Sequence, residues 1–506
     1  MLARITTFAV DGVDARRVWV EADIRLGLPA FTVVGLADKA VREARERVRA
    51  AMINSGYEFP LKRITVNLAP AYLRKVGPAF DLPLAVALLV SSGQLAAAAV
   101  EGCAIVGELS LTGDVRAIRG ALAVAEGART HGLGRIVVPR SRTREASLVP
   151  GIDVVGVESL AQLVATLRGE AEPPPPPDPD PEPAPVDVVA DLSDVRGHNG
   201  LIAGLEVAAA GGHNLFLQGP PGTGKTMLAR RLPSILPPLA PDEAIEVTRI
   251  QSIAGLRGGA GLATTRPFRA PHHTISAAGL VGGANPPQPG EATLAHRGVL
   301  FLDELSEFAR PSLEALRQPL EDGHVTIVRG QHVMAFPTRF MLVAASNPCP
   351  CGLEDRRCSC TPPDLARYRR RLSGPLLDRI DIFLRVERPR AEALRRQVAP
   401  RSAEVAGRVM AARERQLARL DGHAETCNAQ LTSRQIRELG NVTPSALRLL
   451  AELYDRHALS ARGHTRILRV ARTVADLEAS DVVGPEHVDV AASLRLDDGP
   501  PLLEVA

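Results

Sequence analysis

The stretch Gly219-Pro220-Pro221-Gly222-Thr223-Gly224-Lys225-Thr226 has the composition and spacing of a loop that holds phosphate. Its glycines let backbone N–H groups close around anionic oxygens. A helix starting there adds the positive end of its dipole. Lys225 brings a point charge to the β- and γ-phosphates of a nucleotide, and the Thr226 hydroxyl offers a ligand to Mg²⁺. Basic charge elsewhere is almost all arginine. The only lysines are Lys39, Lys62, Lys75 and Lys225, so a lysine at the end of this loop carries more information than usual. Farther on, the apolar run Val299-Leu300-Phe301-Leu302 ends in Asp303-Glu304. Two carboxylates at a buried strand end suit two tasks: Asp303 completing the Mg²⁺ shell, and Glu304 polarising an attacking water. A third apolar run, Phe340 to Ala345, ends at Ser346-Asn347, where an amide can orient that water. Arg379 lies between apolar neighbours in Leu376-Leu377-Asp378-Arg379-Ile380-Asp381 and is a candidate finger for a neighbouring subunit's ATP. The alternative for Arg379 is a structural ion pair with Asp378 or Asp381. ATP and Mg²⁺ are the cofactors these residues call for.

A second chemistry is carried by cysteine. Four of the six cysteines, Cys349, Cys351, Cys358 and Cys360, fall in two C-x-C pairs just after Asn347. Four thiolates in a short loop can close a tetrahedral Zn²⁺ site, and with no open ligand position it would be structural. Reduced free thiols and disulfides are the other two readings. His272-His273 has no acidic or cysteine neighbour in sequence, which points to packing or an interface more than to a metal.

Residues that would touch DNA are less sharply marked. His324 to Val333 alternates on both sides of Arg329-Gly330, as a β-hairpin does, and Arg329 at its tip would face a DNA phosphate. An ordinary surface hairpin is the competing reading. Between Arg367 and Arg419 fifteen arginines stand against six acidic residues, either a DNA-facing patch or a solvated helical face. One Trp and four Tyr leave little for base stacking, so backbone tracking is the mode expected. A net charge of +3 excludes a strongly basic coat, and any nucleic-acid contact must be local.

The elements that position these residues follow from periodicity. Asn214 to Leu217 is a short apolar strand leading into the phosphate loop, and Met227 to Leu232 is the helix that follows. Strands alternate with helices up to about Val386, the pattern of an α/β sheet. From Arg388 the signal is nearly all helical, with apolar residues at helical spacing in Thr443–His457 and Thr465–Glu478 and Pro485 at a first turn. Upstream, Arg63–Leu68 and Arg135–Pro139 read as strands and Lys39–Met52 as a surface helix. Ala171 to Asp187, rich in proline and acid, reads as an extended, semi-rigid linker. The expected units are 1–170, the linker 171–187, an ATPase domain 188–386 and a helical region 387–506. A chain of 506 residues is too long for one core, in agreement.

No apolar stretch reaches the roughly 18 to 20 residues that span a bilayer. Leu82 to Val100 comes nearest and is broken by Ser91-Ser92-Gly93-Gln94. The start of the chain does not read as a signal peptide. A cytoplasmic location without membrane contact is the expectation.

The motifs together resemble the ComM/YifB group of Mg-chelatase-like AAA+ ATPases over nearly the whole chain. The resemblance rests on Gly211-Gly212-His213-Asn214, Arg266-Pro267-Phe268-Arg269-Ala270-Pro271-His272-His273-Thr274 and Gly298 to Leu305. It continues in Asn347-Pro348-Cys349-Pro350-Cys351-Gly352, Ser373 to Asp381 and Ser460-Ala461-Arg462-Gly463-His464. It implies an AAA+ P-loop α/β domain with a helical C-terminal lid, assembled as a homo-hexameric ring with ATP at subunit interfaces. Arg379 would act in trans, and Arg462 would be the lid arginine that senses the γ-phosphate. It further implies a DNA motor that promotes branch migration in homologous recombination and natural transformation, working on single-stranded or branched DNA beside recombination proteins. The similar Mg-chelatase ATPase subunit supplies the alternative, driving metal insertion or remodelling of a partner protein. That subunit's family lacks the long N-terminal domain. Residues 1–170 resemble the Lon protease domain, an α+β unit, through Gly77-Pro78-Ala79-Phe80-Asp81 and Gly107 to Gly113. A Ser–Lys protease needs a hydroxyl nucleophile and a lysine base. The serine position of the Lon pattern falls on Ala79, and no lysine occurs between Lys75 and Lys225. The domain is expected to be non-proteolytic and to serve ring assembly or DNA binding.

Overall fold

The computed structural model describes residues 2–35, 38–177, 190–256, 261–283, 287–329, 332–353, 358–372, 374–389, 391–396 and 399–495. The first sheet grows from alternation. In Leu2–Asp11 (β1), Asp14–Arg25 (β2) and Arg63–Ala69 (β4), buried apolar side chains recur at every second position over most of the strand, as Ile64, Val66 and Leu68 do in β4. β1 and β4 flank β2 antiparallel, and Ala30–Val34 (β3) adds parallel to β4 at the edge. Cys103–Ile105 (β5) runs parallel to β1. Glu108–Leu109 (β6) and Val115–Arg116 (β7) form a small antiparallel pair. Arg135–Pro139 (β8) and Asp153–Val157 (β9) complete a seven-stranded sheet of order β3-β4-β2-β1-β5-β8-β9. The helix Lys39–Asn54 is capped by Asp38, whose carboxylate accepts from Val41 N at 2.9 Å, and it buries Val41, Ala44, Val48 and Ala51 at helical spacing. The helix Asp81–Ser91 is buried along its whole length, so it is apolar all round except at its ends: Ser91 donates to Leu88 O, and Arg47 neutralises Asp81 through two hydrogen bonds of 2.7 and 3.0 Å.

The second sheet carries the phosphate loop. Leu215–Gln218 (β10), Phe268–Arg269 (β11), Val299–Leu302 (β14), Met341–Ser346 (β17) and Ile382–Arg385 (β18) are all parallel, in the order β11-β14-β17-β10-β18. β14 and β17 are buried at every residue, which is why both read as unbroken apolar runs rather than alternating ones. β10 is followed in the chain by strands that flank it on both sides. That reversal leaves a crevice at the strands' carboxyl ends, where the loops after β10, β14 and β17 meet.

Between β11 and β14, Gly282–Gly283 (β12) pairs with Gln288–Pro289 (β13). His324–Arg329 (β15) and His332–Pro337 (β16) form the expected hairpin, with Arg329 opposite His332. Its turn residues Gly330 and Gln331, and the side chain of Arg329, lie outside the described residues. The hairpin's inner face, Val325, Ile327 and Phe336, packs against Val13 in the turn between β1 and β2. A further contact joins the two sheets' halves: in the helix Pro241–Ala254, Ser252 accepts from Gly120 N at 3.0 Å and Arg249 pairs with Glu126 at 3.3 Å.

The C-terminal helices Ser402–Arg419, Ser433–Leu439, Pro444–Arg456, Ala461–Leu477 and Pro485–Ser493 share a core with the β10 sheet. Val405, Val409, Ile467 and Ala471 lie in one cluster with Leu215 and Leu217. Pro485 is the first residue of its helix, where its missing N–H costs nothing. Asp381 ties the sheet to these helices, with Arg466 at 2.6 Å and His213 at 3.3 Å. Burial alone would raise this carboxyl, but His213 and Arg466 outweigh it and hold Asp381 well below the ordinary carboxylate range. Of the proline-rich stretch, 171–177 has no helix or strand, and 178–189 lies outside the described residues. No helix among the described residues is long and apolar enough to cross a membrane.

Candidate nucleotide site

The phosphate loop leaves β10 at Gly219, where only glycine fits. A Cβ there would stand 2.1 Å from the carbonyl oxygen of Val386. The helix Lys225–Arg231 begins immediately after Gly224, so its free N–H groups face the loop. Lys225 is 8% exposed, and its Nζ donates to Gly219 O at 2.6 Å, Pro220 O at 2.8 Å and Asn347 Oδ1 at 3.1 Å. The lysine of the loop and the amide at the end of β17 are thus in direct contact. Thr226 Oγ1 donates to Asp303 Oδ2 at 2.6 Å, which brings together the two residues expected to hold Mg²⁺. Pro221, Gly222, Thr223, Gly224, Lys225, Thr226, Asp303, Glu304 and Asn347 line one cavity of about 430 Å³. An ammonium buried among neutral oxygens, beside a hydroxyl–carboxylate pair, fits a magnesium nucleotide: phosphate oxygens would replace the carbonyls at Lys225, and the metal would sit on Thr226 and Asp303.

Glu304 sits at φ +52°, in the left-handed region that a residue with a Cβ occupies at a cost of about 1–3 kcal/mol. That turn throws its carboxylate out of the strand direction and leaves it largely exposed at the mouth of the crevice. His273 Nδ1 lies 3.5 Å from Glu304 Oε2, and the His273 ring packs on His272 and edge-on to Phe308. Sequence reasoning gave these histidines packing or interface roles and missed the carboxylate. The signal was topological: His273 follows β11, which lies beside β14, so its loop meets the end of β14 only once strand order is known. Tyr368 was also missed. Its hydroxyl donates to Asn347 O at 2.8 Å and lies 2.8 Å from Ser346 Oγ, fixing the end of β17. Asn214, at the other end of β10, accepts from Leu342 N at 2.8 Å and donates to Arg379 O at 2.9 Å.

Arg379 and Arg462 do not approach this cavity. Both line a second one, of about 630 Å³, which shares no lining residue with the first. Arg379 is 5% exposed, and its guanidinium donates to Glu321. Arg462, itself exposed, lies 3.7 Å from the same Glu321 oxygen. Arg266, Arg297 and Arg466 add positive charge to the same walls.

The four cysteines converge. Cys349 Sγ lies 3.3 Å from Cys351 Sγ and 3.7 Å from Cys358 Sγ, Cys351 and Cys358 are 3.6 Å apart, and all four sulfurs lie within 4.8 Å of one another. Backbone hydrogen bonding at Leu353 and Ser359 holds the Cys351 thiol down at about 6, while burial pushes Cys349 up to about 12.

A five-stranded parallel sheet with a phosphate loop on its second-to-edge strand, an acidic strand end, a polar strand end and a packed helical lid defines a magnesium-chelatase-like ATPase. Residues 191–394 match the family model described as magnesium chelatase, subunit ChlI, and residues 399–495 match that of its C-terminal part. Residues 20–142 match a model described as subunit ChlI of Mg-chelatase. The last match removes the N-terminal part as a clean mark of distance from the chelatase name. Among relatives, the protein YifB of Escherichia coli is 44% identical over 507 residues, covering 98% of this chain and 97% of its own. Competence protein ComM of Haemophilus influenzae is 40% identical over 500 residues, with 98% and 97% covered. The magnesium-chelatase 38 kDa subunit of Acidiphilium rubrum is 26% identical over 325 residues, 58% of this chain and 85% of that subunit. The chain belongs to the ComM/YifB family of magnesium-chelatase-like proteins.

Proposed function

We propose that the protein hydrolyses ATP at the interfaces of a homo-hexameric ring and uses the cycle to drive DNA branch migration in recombination. The observation that carries the interface part is the separation of charges. Arg379 and Arg462 gather on Glu321 in a cavity apart from their own chain's phosphate loop. A head-to-tail ring brings the second cavity of one copy to the first cavity of the next, and each site is then completed by its neighbour.

Bound magnesium ATP supplies the phosphoryl group and the metal's charge. Lys225 and the loop's N–H groups hold the phosphates, and Thr226 and Asp303 hold the metal side. Glu304, with its carboxylate steadied by His273, takes a proton from the attacking water, and Asn347 orients that water. Arg379 and Arg462 of the adjoining copy stabilise the charge that develops. Glu321 keeps these two arginines together until the neighbour's nucleotide replaces it.

The DNA part is supported by the likeness over nearly full length to a relative named for competence, and by the hairpin β15–β16, whose tip carries Arg329. The N-terminal sheet braces the hairpin through Val13 and has no proteolytic role. Ala79 has no hydroxyl, and Lys75 is fully buried, donating to Pro70 O. The experiment measures ATP turnover with no DNA, single strands, duplex and a three-strand junction. Stimulation by single-stranded or branched DNA is expected. Turnover indifferent to every DNA contradicts the motor and favours a chelatase-type role on a protein partner.

A further inference from the structure

The four sulfurs stand in a pattern that thiols need not adopt. A Zn²⁺ ion with Zn–S bonds of about 2.3 Å in tetrahedral geometry sets its sulfurs about 3.8 Å apart. The three pairs among Cys349, Cys351 and Cys358 are separated by 3.3, 3.6 and 3.7 Å. All are far beyond the roughly 2.05 Å of a disulfide bond, and none of the four cysteines is bridged.

The surroundings give the cluster a task beyond holding its own loop. Cys349 follows Asn347 by two residues, and its carbonyl accepts from Gly352 N at 3.0 Å, closing a tight turn. Gly352 has φ +71°, and a Cβ there would lie 3.0 Å from Pro221 Cδ of the phosphate loop and 3.8 Å from Asn347 Nδ2. The turn therefore rests on the phosphate loop and on the amide that contacts Lys225. The second cysteine pair leads directly into the helix Pro362–Arg371, whose Tyr368 hydroxyl donates to Asn347 O. Two arms hold Asn347 in place, one through Gly352 and one through Tyr368, and the cysteines are where the arms join.

We propose that Cys349, Cys351, Cys358 and Cys360 bind one Zn²⁺, and that this ion locks Asn347 and the Gly352 turn against the phosphate loop, so that ATP turnover depends on zinc. The inference rests on the ATPase reading for its second half only. Displacing a catalytic group by about 1 Å from a change outside the chemistry can cost on the order of 100-fold. Zinc binding itself is a separate measurement.

The full-length protein, purified with a reductant and no added metal, is analysed for metal content. It is then compared with a doubly substituted Cys351→Ser, Cys360→Ser protein, with wild type stripped by a zinc-selective chelator, and with Gly352→Ala. Turnover is measured in excess Mg²⁺, and nucleotide affinity with a fluorescent ATP analogue. We expect about one Zn²⁺ per wild-type chain and close to none in the double variant. Stripped protein should still bind the analogue, lose turnover on the order of 100-fold, and regain it when Zn²⁺ is returned. Gly352→Ala should keep its zinc and still lose about tenfold or more, because its Cβ pushes on Pro221 without touching a thiolate. If the double variant fails to fold by circular dichroism, the stripped protein and Gly352→Ala decide. Wild type without zinc, zinc-free protein that turns over at the wild-type rate, or Gly352→Ala at the wild-type rate each overturns the proposal. A zinc-loaded wild type that hydrolyses no ATP under any condition contradicts the ATPase reading and the coupling with it.

Discussion

Lys225 and Glu304 line one cavity and stand in it differently. Lys225 is buried, with its charge aimed at the loop that takes phosphates; Glu304 is exposed at the mouth, on a strained turn beside His273. Lys225→Ala should therefore abolish nucleotide binding. Glu304→Gln should bind ATP with near-normal affinity and hydrolyse it at least about 100-fold more slowly. Equilibrium binding of a fluorescent analogue and single-turnover hydrolysis separate the two, and wild-type turnover in Glu304→Gln contradicts the assignment. At this scale the residues with a motif around them were legible: the loop, Asp303, Glu304 and Asn347 all come together. His273, Tyr368, Asn214 and Glu321 were not, because each acts across a gap in sequence that only strand order or lid packing closes. Arg379 was legible as an arginine to watch, but its partner was not, since Glu321 is 58 positions away.

Elements were read best where burial imposes one period. β14 and β17 announced themselves as apolar runs because both faces are covered, and β4 because only one is. The helix Pro241–Ala254 was harder. It spends its polar residues on contacts: Glu246 lies 3.0 Å from His296 and 2.8 Å from Arg297, at the entry to β14. The His296 hydrogen bond, aided by Arg297 against burial, holds this carboxyl down at about 2. Its folded value lies below the ordinary one of about 4.3. The stability it contributes is complete above that ordinary value and is lost as pH falls towards 2. Glu246→Gln should thus lower the urea midpoint at pH 7, and the gap from wild type should shrink as pH drops from 5 to about 3. A gap that widens on acidification contradicts the pairing. The hairpin β15–β16 makes a second prediction. If its tip tracks the DNA backbone, Arg329→Ala should weaken binding of all sequences alike and reduce the salt slope by about one, leaving DNA-free turnover intact. Fluorescence anisotropy across a salt series checks it, and an unchanged slope makes the hairpin an ordinary surface feature.

For the whole molecule the decisive fact is that the charges of the proposed site sit in two places. The cavity with the phosphate loop lacks Arg379 and Arg462, and the cavity with those arginines lacks the loop. No periodicity in the sequence could show this, because it depends on where the helical lid packs against the sheet. Arg462 reaches Glu321 only because the helix Ala461–Leu477 lies in the common core. The central claim, ATP hydrolysis completed between copies, is tested most directly by mixing two dead subunits. Arg379→Ala should bind ATP normally and lose on the order of 10³-fold in turnover, and Lys225→Ala should be inactive. Titrating one against the other at fixed total protein, with subunit exchange followed by native mass spectrometry, should restore hydrolysis, peaking at intermediate ratios where intact loops meet intact arginines. Free mixing with no recovery at any ratio would contradict the account and leave Arg379 acting within its own chain or only bracing Glu321.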